Sequence, residues 1–331
     1  MAIAPQEAIF GTLTRRIPET NFDLLRDWAH TRLTTVFEAA QQIPFDDSSK
    51  IILFSDCHRG DNSRADRFAR NEALFLHALD FYHRGGFTYI EVGDGDDVWK
   101  TRSHKDIVRA HPRTFGMLHR FHRQDRLHLI YGNHDSPNHQ PGKLKKDGLV
   151  AVESLVLQHA NTGQRVFLVH GHQADFKSDR LCVLSRMTVR YGWRRLQLLG
   201  IESALRHTKA ILEVINRRAA SGGGNGTQRF WISNIGQAKK LCAKRIMSWA
   251  AANRQLVIYA HTHRPTAPAC GAPPCFNTGC CDVPGRLTGL EIQNGAIALV
   301  QWTSQAGGQN GMTSRIKREL MAPPRKLCRL A

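Results

Sequence analysis

Ile51-Ile52-Leu53-Phe54-Ser55-Asp56-Cys57-His58-Arg59-Gly60-Asp61 is the stretch that decides how this chain is read. An unbroken apolar run rich in branched residues describes a buried strand. It stops abruptly in polar residues, so Asp56 and His58 stand just past the strand's carboxyl end. In open α/β folds that edge is where ligands bind. Further along the chain the same device recurs. Tyr89-Ile90-Glu91-Val92 runs into Gly93-Asp94, and Leu127-His128-Leu129-Ile130-Tyr131 into Gly132-Asn133-His134-Asp135. Val166-Phe167-Leu168-Val169 runs into His170-Gly171-His172, and Leu256-Val257-Ile258-Tyr259-Ala260 into His261-Thr262-His263. One polar ending is ordinary, but five in series imply a single site on the rim of a sheet.

The residues so collected are Asp56, His58, Asp94, Asn133, His170, His261 and His263. Imidazole and oxygen donors without thiolates suit borderline or hard divalent ions such as Mn, Fe, Zn or Co. The set is too large for one tetrahedral site. It suits two ions about 3.5–4 Å apart that share a carboxylate, the arrangement used to hydrolyse phosphate esters.

With its five blocks in this order, the chain resembles the calcineurin-like metallophosphoesterase superfamily over residues 50–302. The resemblance implies a four-layer α/β/β/α sandwich and hydrolysis of a phosphodiester, pyrophosphate or phosphomonoester by a metal-activated hydroxide. It implies two divalent ions, Mn first, with Fe, Zn or Co as alternatives. Asp56, His58 and His263 would hold one ion, Asn133, His170 and His261 the other, and Asp94 would bridge them. His134 would protonate the leaving group and Asp135 would orient it. Ala260 departs from the glycine usual before the last His-x-His, which should tighten a turn without removing a ligand. Asp97 and Trp99 are similar to a Gly-Asp-x-x-Asp/Glu-x-Trp variant in the branch related to UDP-2,3-diacylglucosamine pyrophosphatase. That branch carries Arg where this chain has His134, which keeps other esters open. Arg59, Asp97, Trp99, His172 and Arg264 are the candidate substrate contacts.

Composition sets the frame for this site. The chain has 331 residues, 41% of them hydrophobic, enough for one large domain or one domain with an insertion. No apolar stretch approaches the roughly 20 residues of a membrane span. The first 22 residues lack the pattern of a signal peptide, and eight cysteines without regular spacing make no disulfide framework. A cytoplasmic setting, with peripheral association to an inner membrane as a variant, is the expectation. A net charge of +18 predicts attraction to polyanions, whether a phosphorylated small or lipid-linked substrate, nucleic acid or an anionic membrane surface.

Taken in order, residues 1–45 read as an N-terminal helical segment, with helical spacing over 21–43 and Pro44 as its stop. Residues 46–303 read as the catalytic domain. Within it, 65–84 and 104–122 read as helices, the second interrupted near Pro112 and bearing His104, His111, His119 and His122 as surface residues. Asp61 and Asn62 read either as supports of the first motif or as caps of the next turn. Residues 173–254 break the rhythm and read as a helical, lid-like insertion. Between 177 and 254 there are 16 lysines and arginines against 3 carboxylates, +13 of the chain's charge. Cys270, Cys275, Cys280 and Cys281 lack paired zinc spacing and read as incidental thiols. Asn294-Gly295 marks a hairpin between closing strands. Residues 304–331 read as a basic, flexible tail.

Three other functions compete. A nuclease would use the basic insertion to guide nucleic acid, but no aromatic single-strand platform is evident. A protein phosphatase would have the same fold, though no regulatory element is visible. A non-enzymatic scaffold could afford to lose ligands, and here every expected position is filled.

Overall fold

A computed structural model of the chain describes residues 19–136, 144–180, 186–199, 228–269, 271–305 and 315–327. In chain order its strands are β1 (Gln41–Phe45), β2 (Ile51–Phe54), β3 (Thr88–Val92), β4 (Leu127–Ile130), β5 (Leu144–Lys146), β6 (Leu149–Val152) and β7 (Ser154–His159). They continue as β8 (Arg165–Val169), β9 (Leu256–Tyr259), β10 (Cys275–Asn277), β11 (Arg286–Gln293), β12 (Ala296–Gln305), β13 (Arg315–Leu320) and β14 (Arg325–Lys326). The helices are α1 (Glu19–Glu38), α2 (Glu72–Arg84), α3 (His104–Ala110), α4 (Pro112–His122), α5 (Phe176–Arg180), α6 (Arg194–Leu198) and α7 (Gln228–Ala252). A π-helical turn over Thr188–Trp193 leads into α6.

The strands form two sheets, one ordered β13-β12-β11-β2-β3-β4-β6-β5 with β14 against β12, the other β1-β7-β8-β9-β10. Successive side chains on a strand face opposite sides. Ile51, Leu53, Ile90, Val92 and Ile130 of the larger sheet meet Val166, Leu168, Leu256 and Ile258 of the smaller one in the central core. Ile52, Phe54, Tyr89 and Leu129 face the other way and pack on Phe75, Leu79 and Tyr82 of α2 and Leu118 and Phe121 of α4. On the far side, Val156, Phe167, Val169 and Val257 pack on Leu33 and Val36 of α1 and Ile246 and Trp249 of α7. The result is the expected α/β/β/α sandwich. It explains why the strand runs lack alternation, since both faces of each are covered.

This layering positions the site. β2, β3 and β4 are parallel neighbours in one sheet, and β8 and β9 are parallel neighbours in the other. The five polar strand endings therefore come from two stacked sheets and converge where the carboxyl ends of both sheets meet.

The structure departs from the sequence expectation in the N-terminal segment, in the tail and at two places between. Helix α1 stops at Glu38, and residues 41–45 form β1, paired in parallel with β7. Pro44 is thus not a helix stop. It lies in a strand at the edge of its sheet, where a missing N–H is tolerated. The helix expected from residue 65 begins only at Glu72, because Asn71 is held by the carbonyls of Cys281 and Val283 at 2.8 and 2.6 Å. His111 is fully buried rather than on the surface. The tail is ordered over 315–327: β13 pairs antiparallel with β12, and Arg318 Nε donates to Glu291 at 2.7 Å. Leu327 enters the central core. Its basic composition concealed the alternation of a strand whose charged face reaches a buried carboxylate. Of the insertion, α5, residues 186–199 and α7 are described. The helix expected over 203–218, the glycine-rich stretch 221–226 and the tail's 306–314 and 328–331 lie outside the described residues.

Candidate metal centre

The ligating atoms of Asp56, His58 and His263 lie within 4.8 Å of one another, and so do those of Asp94, His170 and His261. In the first group Asp56 Oδ1 is 3.1 Å from His263 Nε2, and the Nε2 atoms of His58 and His263 are 3.3 Å apart. In the second, Asp94 Oδ2 is 3.2 Å from His170 Nε2. The same oxygen is 3.8 Å from His58 Nε2, so Asp94 faces both groups. Asn133 is buried, and the N–H of the next residue, His134, is bonded to Asp94. Among the described residues, none forms a hydrogen bond with the buried atoms Asp56 Oδ1, Asn133 Oδ1 and His170 Nε2. Buried polar atoms without a hydrogen bond are costly, and three in these neighbouring motifs fit a site built around cations.

The backbone is shaped for this convergence. Asp56, His58, Asp94, His261 and His263 all have φ between 49° and 64°. Side-chain-bearing residues seldom adopt such values, and where they persist they cluster at functional sites. The first two motif turns hold each other in this form, with Asp56 N donating to Gly93 O at 3.0 Å and His58 N to Asp94 O at 2.9 Å. His170 Nδ1 donates to the Val92 carbonyl at 2.9 Å, which leaves Nε2 facing Asp94. A Cβ on Gly93 would sit 2.4 Å from that Nδ1, so only glycine lets the imidazole in.

Residues 49–265 match the calcineurin-like phosphoesterase family. The chain belongs to that family. This phosphoesterase is therefore a hydrolase acting on phosphoester bonds, and the family implies divalent ions in a dinuclear site, for which the two Asp/His groups are the candidates. No curated protein matches the chain. Among the described residues no helix is long and apolar enough to cross a membrane.

The electrostatics of the phosphoesterase site favour cations. Burial pushes the Asp56 carboxyl up, but the adjacent His263 outweighs it and brings the pKa to about 2. Asp94 is likewise driven well below the usual carboxylate range, against burial, by His170 and His134. Burial, reinforced by His134, lowers His58 to about 3. Asp94 overcomes burial at His170 and raises it to about 9. The carboxylates are thus charged and His58 neutral at pH 7, while His170 must release a proton before it can ligate.

The general-acid expectation is altered in one partner. His134 N donates to Asp94 Oδ1 at 2.8 Å, which ties this residue to the metal ligands. Its Nδ1 is 3.1 Å from Asp97 Oδ1, and its ring stacks on Trp99 with centroids 4.2 Å apart. The carboxylate on His134 is therefore Asp97, not Asp135. Asp135 folds back under its own turn, accepting from Gly132 N at 2.7 Å and Asp96 N at 2.8 Å, and pairs with buried Lys146. Nor are Arg59 and Trp99 open to substrate. Arg59 is 0% exposed, its guanidinium held by Glu91 at 2.7 and 2.8 Å and Asp96 at 2.7 Å, and Trp99 is 3% exposed. Asp97 is buried too, shared between His134 and Lys100. His172 is enclosed with its ring 5.5 Å from that of His170. Arg264 stays exposed just past His263. A carboxylate inside an apolar strand run, Glu91, was the available signal for the buried ion pairs beneath the site.

Two carboxylates outside the motifs also reach the site. Asp175 Oδ2 is 3.3 Å from His261 Nε2. Asp282 Oδ1 is 3.6 Å from His263 Nδ1 and is itself paired with Arg67 at 3.0 Å. Neither follows a strand, so the pattern that found the ligands could not find them. Asp61 supports the insertion rather than the metals, through Arg194 at 2.7 Å. Cys57, Cys242, Cys275, Cys280 and Cys281 are buried free thiols, and burial raises the pKa of each one beside the site. Cys270 lies outside the described residues.

Proposed function

We propose that Asp56, His58 and His263 hold one cation and Asn133, His170 and His261 a second, with Asp94 between them. The enzyme then cleaves a small or lipid-linked phosphodiester or pyrophosphate. The observation that carries this is the Asp94 carboxylate, within 3.8 Å of both histidine groups. The donor set favours manganese, with iron, zinc or cobalt as alternatives. When bound, such ions activate water and offset charge on the phosphoryl oxygens.

The chain's own residues position groups and move a proton. His134 keeps Nδ1 on Asp97 and presents Nε2 to the leaving oxygen, to which it delivers a proton. Its 18% side-chain exposure supports access from the cleft. Asp97 fixes the orientation of the ring through Nδ1, and the face of Trp99 restricts its rotation. Asn133 and His134 donate to the phosphoryl oxygens as charge develops there.

Residues 173–254 act as a basic lid over this cleft. Supporting this, Arg194 of α6 pairs with Asp61 behind the first motif, and Cys242 of α7 donates to Gly171 O at 3.3 Å beside the fourth. The net +13 over 177–254 suits a diphosphate group, and an enzyme working in the cytoplasm at an anionic membrane face accommodates the same charge. The insertion and the closing segment Phe276-Asn277-Thr278-Gly279 favour the UDP-2,3-diacylglucosamine pyrophosphatase branch. His134, where that branch has Arg, speaks against strict equivalence. Because Asp97 and Trp99 engage His134, their likeness to the branch bears on the acid and not on substrate choice. The test is kcat/KM of metal-reconstituted enzyme for a nucleotide-sugar pyrophosphate, a bis-phosphodiester, a phosphomonoester and single- and double-stranded oligonucleotides at physiological salt. The small diester or pyrophosphate should lead. Efficient, salt-sensitive cleavage of oligonucleotides alone would make the protein a nuclease.

A further inference from the structure

An imidazole that ligates a cation through one nitrogen needs its other N–H held, or the ring turns its lone pair away. His170 meets this need with a backbone carbonyl, that of Val92. At His261 the group in that position is the Asp175 carboxylate, 3.3 Å from Nε2. Asp175 is 86 residues away in sequence and belongs to a different element.

Asp175 is held firmly. Its Oδ1 accepts from Lys177 N at 3.2 Å and its Oδ2 from Ser178 Oγ at 3.0 Å, so it opens α5, the first helix of the insertion. The turn before it, His172–Ala174, is clamped from above by α7. Arg245 Nη1 donates to Ala174 O at 3.0 Å, and Ile246 Cδ1 would lie 3.3 Å from a Cβ placed on Gly171. Its side chain is 19% exposed, enclosed enough for the bond to His261 to be only partly screened by water. One carboxylate therefore touches both a candidate ligand and the insertion's first turn.

We propose that Asp175 is a positioning residue. Its carboxylate holds Nε2–H of His261, which leaves Nδ1 as the nitrogen that ligates. The inference rests on the ligand assignment proposed above. A neutral imidazole donating to a carboxylate is also a more basic ligand at its other nitrogen, so loss of Asp175 weakens the site as well as loosening it.

The experiment titrates Mn(II) into metal-free full-length protein by calorimetry and follows the bound ions by electron paramagnetic resonance. Wild type, Asp175→Ala, Asp175→Asn and Ser178→Ala are compared. Wild type should bind two ions with the spectrum of a coupled pair. Asp175→Ala should keep one ion at near wild-type affinity and bind the second about 10- to 100-fold more weakly. At one equivalent it should show the spectrum of an isolated ion. Asp175→Asn, whose amide oxygen can still accept from the ring, should fall between. Ser178→Ala breaks the α5 contact without touching His261 and should bind as wild type. Two ions bound at wild-type affinity by Asp175→Ala would overturn the proposal. So would equal weakening by Ser178→Ala, which would place the effect in the helix. If Asp175→Ala does not fold, Asp175→Asn against Ser178→Ala decides by the same criteria. A wild-type protein that binds fewer than two ions overturns the two-cation reading itself, which separates the two failures.

Discussion

Replacing His111 by glutamine tests the brace behind the first motif. His111 lies between α3 and α4, fully buried, with Nε2 2.7 Å from Asp66 Oδ2 and Nδ1 3.2 Å from Glu72 Oε1. Asp66 also accepts from Asn62 N at 2.9 Å, and its Cβ would be 3.0 Å from a Cβ on Gly60. The loop it steadies carries Asp61 and Arg67, whose partners are Arg194 and Asp282. Burial disfavours the charged ring, but the two carboxylates prevail and raise its pKa to about 9. In the unfolded chain the value is about 6.5. Because the folded value is the higher one, the stabilisation is complete below about pH 6.5 and disappears as pH rises through about 9. That interval corresponds to about 3 kcal/mol, of which about 2 kcal/mol is lost between pH 6 and pH 8. Urea denaturation of metal-free wild type and His111→Gln at pH 6, 7, 8 and 9 measures it. Other titrations common to both proteins cancel in the difference. The stability gap should narrow by about 2 kcal/mol from pH 6 to pH 8. A gap that stays constant or widens would refute a protonated His111 between two carboxylates.

His134→Ala should retain its metals and lose about 10²- to 10⁴-fold in turnover of an ester with a poor leaving group, but far less with a nitrophenyl ester. Equal losses on both substrates would remove His134 from the proton-donor role. Gly132→Ala places a Cβ 2.1 Å from Asp94 Oδ1 and 2.5 Å from Asp94 N. It should displace that carboxylate, lower metal occupancy and cost about 1–3 kcal/mol in stability. Full metal content with unchanged denaturation would show that the turn can relax away from Asp94.

What could be read locally lay at the strand ends. Burial on both faces writes an unbroken apolar run into four or five consecutive residues, and a polar ending is visible at once. Asp56, Asp94, Asn133, His170 and His261 therefore stood out in the sequence, and the structure brings them to one rim. The hairpin at Asn294-Gly295 was equally local, its two residues at φ 52° and 63°. The interruption between α3 and α4 at Pro112 is local in the same way.

Only the tertiary structure decided which charge meets which. Sequence adjacency suggested Asp135 for His134, but the turn sends that side chain inward to Lys146, and Asp97, 37 residues away, takes its place. Arg59 looked available to a phosphate and is instead enclosed by Glu91 and Asp96. The basic tail looked flexible by composition, yet β13 completes a sheet because β12 offered it an edge and Glu291 offered Arg318 a partner. Periodicity and burial of a strand are properties of neighbouring residues. The pairing of a buried charge depends on what the packed layers bring opposite it, and the partners of Arg59 and His134 lie 32 and 37 residues away.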